Sequence, residues 1–391
     1  MRAGAAKVDI TPPLPVQLAG YGKERVAVEI GDPLAARAVV VEHDGRRVAL
    51  VSAELLYVER RLMAPLRARI AATCGIAPSD VMVVCTHTHS GPDTLDWFDF
   101  APVDPHWLAT LLNQLASAVF LAAGRLQPVR AELVHASLPL GINRRERTPD
   151  GIRLGENPGG PLDPLWTGLR LVREDGGLLA SVVHHAVHGV TLGSENSLLS
   201  ADWPGVMCRL VEQSLGGVCL FVNGACGDVN PATDRARGWD PMVRLGQRAG
   251  GVAIELLSRP AEATADGVDA ESADLRVEHH DHPFLRTPVA RRVAEDGGLV
   301  TELQALRLGP LNLLGAPGEC MVETARRIQA TTRLAPAVIA GYANDYIGYL
   351  PLPHIYEEGG YEPHATMLGP DAVLAVVAQA VAVADALAAR G

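Results

Sequence analysis

Val83-Val84-Cys85-Thr86-His87-Thr88-His89-Ser90-Gly91-Pro92 begins as a β-branched apolar run and is halted by Ser-Gly-Pro. Such a run reads as a buried strand giving way to a loop. Two imidazoles, one residue apart, stand where it ends. On a strand, positions i and i+2 share a face, so both rings would reach one point in space. Imidazole is the commonest metal ligand, and the stretch reads as one corner of a hydrolytic metal site. Taken alone, His-X-His is a weak motif.

Outward from this strand, a hairpin pattern recurs three times. Residues 37–53 read as strand, turn at His43-Asp44-Gly45-Arg46, and a second strand from Val48 to Ser52. Residues 168–188 repeat it around Glu174-Asp175-Gly176-Gly177, and residues 302–316 around Gly309-Pro310. Asp-Gly and Gly-Pro between β-rich runs are hairpin signals. Each second strand delivers a potential ligand just past its end: Glu54, the group His184, His185 and His188, and Glu319. Together with the His87 strand, these ends form a rim of the kind on which open α/β sheets place ligands.

Helical spacing covers 59–74, 106–123 and 240–257, and an apolar tail covers 371–389. Asp202 before Trp203-Pro204 reads as a helix N-cap. The sector 259–300, charged and broken by Pro260, Gly267, Pro283 and Pro288, reads as a surface excursion. The expected architecture is a single α/β domain over residues 1–391, with mixed sheets between helical layers.

The composition fits that expectation. Hydrophobic residues make up 48% and charged residues 20% of the 391, enough for a packed core and against disorder. A formal net charge of −11 argues against a nucleic-acid partner, which would want a basic face. No apolar run looks long enough to cross a bilayer, so no stable membrane insertion is expected. Met1–Asp9 meets charge before any signal-like segment, which points to the cytoplasm. Six cysteines without a Cys-x-x-Cys pair read as reduced thiols.

Several segments carry candidate chemistry. His184 and His188 stand four apart, as on a zincin helix, but that motif needs Glu after the first His. Position 185 is His, and a hydrogen-bonded polar strand end competes with a metal role. Phe221–Pro231 runs from a strand into a Gly-Asp turn with Asp228 and Asn230. That turn either presents N–H groups and a carboxylate to a ligand or needs Gly for its backbone. Glu319 after Pro317-Gly318 is a ligand or a helix N-terminal charge. Tyr342, Tyr346, Tyr349 and Tyr361 gather in a Gly- and Pro-punctuated stretch, where phenols pack, ligate a metal or stabilise an oxyanion. The aromatic segment Leu95–Trp107 reads as a substrate-contacting lid or as surface packing. Cys226 reads as small and buried, and the role of Glu54 stays open.

Read in order, Thr86-His87-Thr88-His89-Ser90-Gly91-Pro92, Asn143-Arg144, Ala186-Val187-His188-Gly189, Gly227-Asp228-Val229-Asn230-Pro231, Pro317-Gly318-Glu319 and Asn344-Asp345-Tyr346 through Tyr361-Glu362 resemble the catalytic domain of neutral/alkaline non-lysosomal ceramidases. Ala6-Lys7-Val8-Asp9-Ile10-Thr11-Pro12 resembles that family's first strand. The resemblance implies two mixed β-sheets flanked by helices and a zinc-dependent amidohydrolase. It implies zinc held by His87, His188, Glu319 and Tyr349, with His89, Arg144 and Tyr361 as further active-site residues. Asp228 and Asn230 belong to a motif tied to the family's catalysis, with Asn230 where ceramidases have Ser. The chain also ends without the family's C-terminal immunoglobulin-like domain. The departures point away from ceramide towards a smaller or more soluble N-acyl amide, cleaved by zinc-bound hydroxide. In that scheme Tyr361 and Arg144 face the oxyanion, and His89 delivers a proton to the leaving amine. A zinc esterase or lactonase, and a catalytically silent metal- or ligand-binding protein, are the alternatives.

Overall fold

The computed structural model describes residues 1–95, 100, 102–233, 235–280, 292–293 and 298–390. All three hairpins form. Ala35–His43 and Arg46–Ala53 pair antiparallel across Asp44 and Gly45, both with positive φ (47° and 81°), the conformation in which a two-residue turn matches strand twist. Leu165–Arg173 pairs with Leu178–His185, and Gly298–Leu308 with Leu311–Gly315.

The larger sheet has nine strands. Its path runs Val218–Asn223, Leu178–His185, Leu165–Arg173, Gln127–Ser137, Arg2–Asp9, Ala35–His43, Arg46–Ala53, Val81–Cys85. Only the outermost pair on each side is parallel. The second sheet runs Val268–Glu278, Gly298–Leu308, Leu311–Gly315, Ala337–Ala340, and its last pair is parallel.

Side-chain alternation explains how the layers stack. Val39, Val41, Val48 and Leu50 join Leu306, Leu308, Leu313 and Val338 in a core between the two sheets. Ala38, Val40, Ala49 and Val51 turn the other way, into a core shared with the helices. Pro105–Ala123 lies on Arg2–Asp9 and Ala35–His43, Asp202–Leu215 and Trp239–Ser258 cover the other half, and Pro370–Ala388 covers the second sheet. Two mixed sheets therefore face each other with helices outside, the fold class expected from the sequence.

Four local expectations need correction. The sector 259–300 contains Val268–Glu278, an 11-residue strand zipped to Gly298–Leu308; its residues 281–291 and 294–297 lie outside the described residues. Asp202 is the first residue of its helix and not its cap. Its φ is 56°, and its buried carboxylate accepts from the N–H groups of Thr191, Leu192 and Trp203. Pro105–Ala123 and Pro370–Ala388 are each long and apolar enough to cross a bilayer by length and composition. Here each packs one face on a sheet. Finally, the first strand quoted above stops at Cys85, and His87 adopts φ 64°. The two imidazoles thus converge through a left-handed turn and not through strand alternation.

The two ends of the large sheet approach each other, since Ser52 Oγ, on the strand beside one edge, donates to Phe221 O on the other edge strand at 2.6 Å. The second sheet's Ala337–Ala340 closes the remaining gap. Gly341 N donates to Asn223 O (2.9 Å) on one edge, and Cys85 N donates to Tyr342 O (3.2 Å) on the other. Asn223 Nδ2 also donates to Thr86 O (3.1 Å). The segments leaving these strand ends are thereby gathered at one place.

Candidate metal centre

His87 sits within that gathering. Its Nδ1–H donates to Leu56 O at 2.9 Å, and its ring stacks on Tyr342 with centroids 3.8 Å apart. His188 Nδ1–H donates to Cys226 O at 2.6 Å. Both rings therefore turn an unprotonated Nε2 inward, the orientation that outer hydrogen bonds impose on metal-ligating histidines. Glu319 Oε2 lies 3.0 Å from Nε2 of His188 and 3.5 Å from Nε2 of His87. Nitrogens of His87, His89 and His188 all lie within 4.8 Å of one another. Burial, reinforced by Arg144, pushes the His188 imidazole down to about 4.

Glu319 supplies the test of whether a metal fits. Its Oε1 accepts from Tyr346 Oη at 2.7 Å, while Oε2, fully buried, has no hydrogen-bond partner among the described residues. A buried carboxylate oxygen without a donor is costly. Two inward imidazole nitrogens on either side of it make a donor set suited to a divalent cation such as zinc.

The short strand Glu319–Cys320 pairs in parallel with Tyr349–Leu350, placing Glu319 opposite Tyr349. This corrects the helix-terminus alternative for Glu319, since the following helix starts only at Val322. Tyr349 Oη accepts from Arg144 Nη2 at 2.8 Å. Burial pushes that phenol well above its ordinary value, against the pull of Arg144. Arg144 is itself fixed, with Nε on Glu362 Oε1 at 3.0 Å and Nη1 3.3 Å from His188 Nε2. Arg145 holds the other oxygen of Glu362 at 2.5 Å. Tyr361 stands at the rim, 41% exposed, its ring centroid 5.5 Å from that of Tyr349.

His89 Nε2 lies 3.1 Å from His87 Nε2. Because the latter is unprotonated, His89 is the donor and carries its proton on Nε2. Its Nδ1 has no partner among the described residues. The chain packs tightly here. A Cβ on Gly20, at φ 100°, would fall 2.4 Å from His89 Nδ1, and one on Gly189 would fall 2.7 Å from His87 O.

Other candidates lie outside this convergence. Asp228, which its sequence position offers as an outer partner of a ligand imidazole, instead accepts from Asn143 Nδ2 (2.8 Å) and Val322 N (3.0 Å). Its backbone oxygen accepts from Arg144 N (2.8 Å), so it braces the arginine strand. Burial raises its carboxyl to about 6. Asn230 lines a neighbouring cleft with Ile142, Glu146 and Arg237. His184 Nε2 pairs with Ile339 O (3.0 Å), and His185 Nδ1 with Leu165 O (3.0 Å). Glu54 pairs with Arg37 (2.6 Å) and accepts from Ala35 N (2.6 Å). Cys226 is buried against the Tyr342 hydroxyl (3.1 Å). Of the aromatic segment, residues 96–99 and 101 lie outside the described residues, while Trp107 is buried on its helix.

Sequence reasoning gave Tyr346 only the general roles of its tyrosine cluster and gave Glu362 none, although both stand in the motifs quoted above. Their signal was adjacency to site residues in a tyrosine-rich stretch. The carbonyls of Leu56 and Cys226 carry no signal at all, because any residue has one.

The fold is that of the neutral ceramidases. The chain superposes over 100% of its length on 74% of the crystallographic neutral ceramidase of Pseudomonas aeruginosa, with a TM-score of 0.86 and 22% identity. Neutral ceramidases are also its sequence homologues. It is 24% identical to that of P. aeruginosa across 94% of this chain and 69% of that protein. It is 24% identical to that of Mycobacterium tuberculosis across 90% and 71% respectively. No family model matches the chain.

Proposed function

We propose that this chain is a zinc-dependent hydrolase of a non-peptide amide, an N-acyl or related carboxamide other than ceramide. The observation that carries the reading is Glu319 Oε2, buried without a donor between the inward Nε2 atoms of His87 and His188. These three residues would hold the metal, with Tyr349 the phenol nearest in register. A divalent cation bound there supplies Lewis acidity and acidifies water towards neutral pH.

The chain's own groups do the rest. Arg144, locked by Glu362 and Tyr349, aims a fixed positive charge at the site and stabilises negative charge developing on the carbonyl oxygen. Tyr361, at the mouth beside Tyr349, adds a hydroxyl donor. His89, with its proton on the inward Nε2, is placed to pass it to the leaving amine, which departs poorly unless protonated. The homology to neutral ceramidases supports amide cleavage as the reaction class. Asn230, where that family carries Ser, supports a different substrate.

The test is turnover by zinc-loaded protein of a panel of N-acyl amides and matched esters. Amide cleavage that disappears in His188→Ala is the expected result. Ester-only turnover, or none with zinc bound stoichiometrically, overturns it.

A further inference from the structure

Beside the metal centre lies a cleft of about 480 Å³ lined by Ile142, Asn230 and Arg237, with the pairs Glu146–Arg153 and Glu156–Arg235 along its wall. Its position follows from strand geometry. Ile142, Arg144 and Glu146 alternate onto one face of Gly141–Thr148, and Arg144 is the group that reaches His188. Asn230 is opposite Ile142, and Arg153 opposite Glu146, in the flanking strands, so all of them share the face of Arg144. The far wall leads back to the same place. The Tyr21 phenol, 5.0 Å from the His89 ring, stands in the field of both Arg237 and Arg144.

The charges of this cleft are unevenly satisfied. Arg153 is paired with Glu146 at 2.9 Å, and Arg235 with Glu156 at 3.4 Å. Arg237 has only the Thr233 hydroxyl (3.1 Å) and the Ala236 carbonyl (3.2 Å), and no carboxylate among the described residues. The Asn230 amide, half-buried, makes no hydrogen bond to a described residue. Among the described residues, one guanidinium without a carboxylate and one amide without a partner thus line a cleft on the strand face that carries Arg144. Ile142, Leu154 and Pro231 give the lining an apolar part, but its guanidinium and amide gain nothing from a hydrocarbon chain. A carboxylate gains a charge-assisted bond from the fork of Arg237 and a second from Asn230.

We infer that this cleft is a substrate subsite for a free carboxylate, so that the scissile amide belongs to an N-acyl amino acid or a close homologue. The inference rests on the hydrolase reading above but can fail separately from it. Arg237 and Asn230 are then the residues that set specificity.

The experiment compares N-hexanoyl derivatives of glycine, β-alanine and 4-aminobutanoate with the same compounds capped as terminal carboxamides. The zinc-loaded protein should prefer at least one acid over its carboxamide by about tenfold in kcat/KM, expressed through KM. Arg237→Gln should bring that ratio close to one, and Arg237→Lys should keep a preference. A second arm measures binding of the uncleaved pairs by calorimetry with zinc withheld, where the acid should bind about tenfold tighter to the wild type than to Arg237→Gln. Equal ratios in wild type and Arg237→Gln overturn the subsite even if amides are cleaved. If no amide is cleaved, the hydrolase reading falls, and the binding arm still decides the subsite.

Discussion

Tyr346 Oη donates to Glu319 Oε1 at 2.7 Å and so fixes which carboxylate oxygen faces the two imidazoles. The Tyr346 ring is held against Tyr57, with centroids 4.6 Å apart. Removing only the hydroxyl leaves the packing in place and frees the carboxylate to rotate. Tyr346→Phe should weaken zinc affinity by about tenfold or more, the usual scale for outer partners of metal ligands. Competition against a chromophoric chelator measures it. Wild-type affinity in the variant would remove Tyr346 from the site.

Metal should also report on stability. If the centre exists only in the folded chain, zinc at about 1,000 times its Kd adds about 4 kcal/mol. Melting of the wild type should therefore shift upward with zinc and fall back with chelator. Glu319→Ala should melt at one temperature in both conditions. A zinc-dependent shift that survives in that variant places the ion elsewhere.

Glu54 is assigned to the scaffold. Its carboxylate is 1% exposed and meets Arg37, which is 2% exposed and also reaches Glu212. Glu54→Ala leaves Arg37 with Glu212 alone and deprives Ala35 N of its acceptor, at a cost of about 3 kcal/mol. Urea unfolding should show that loss. If the variant instead unfolds like the wild type but loses zinc, Glu54 belongs to the centre.

Acid should destabilise the fold through His185. Its ring stacks on Trp166 at 4.1 Å, and burial lowers it from 6.5 to about 3. A depressed imidazole contributes its full stability above the unfolded value. As pH falls below 6.5, the unfolded chain takes a proton that the folded one refuses. The loss is about 1.4 kcal/mol per pH unit. His185→Phe keeps a stacked ring and forfeits one hydrogen bond, about 1 kcal/mol at neutral pH. Between pH 6.5 and 5 it should lose about 2 kcal/mol less than the wild type. Parallel unfolding curves at the two pH values would contradict this.

The hairpins were legible because Asp44-Gly45 and Gly309-Pro310 leave local signatures between β-rich runs. The sheet order was not, since it depends on pairings such as Arg2–Asp9 with Gln127–Ser137, far apart in sequence. Val268–Glu278 was misread because charge and scattered breakers outweighed its alternation. What makes it a strand is its long-range partner, Gly298–Leu308. At the site, His87, His188 and Glu319 could be found by residue type and motif. The left-handed turn at His87 could not, because Thr86-His87-Thr88 has strand-like neighbours and no Gly to mark it. The bracing role of Asp228 was equally hidden, since a carboxylate reads alike whether it serves an imidazole or Asn143.

Gly341 and Tyr342 join the lips of the large sheet through a strand end that belongs to the other layer. Tyr342 also floors His87, so the pocket has no existence within either layer alone. Binding competence must then arise late in assembly, once the layers have docked. Any agent that pries them apart should abolish ion uptake before the hairpins themselves dissolve.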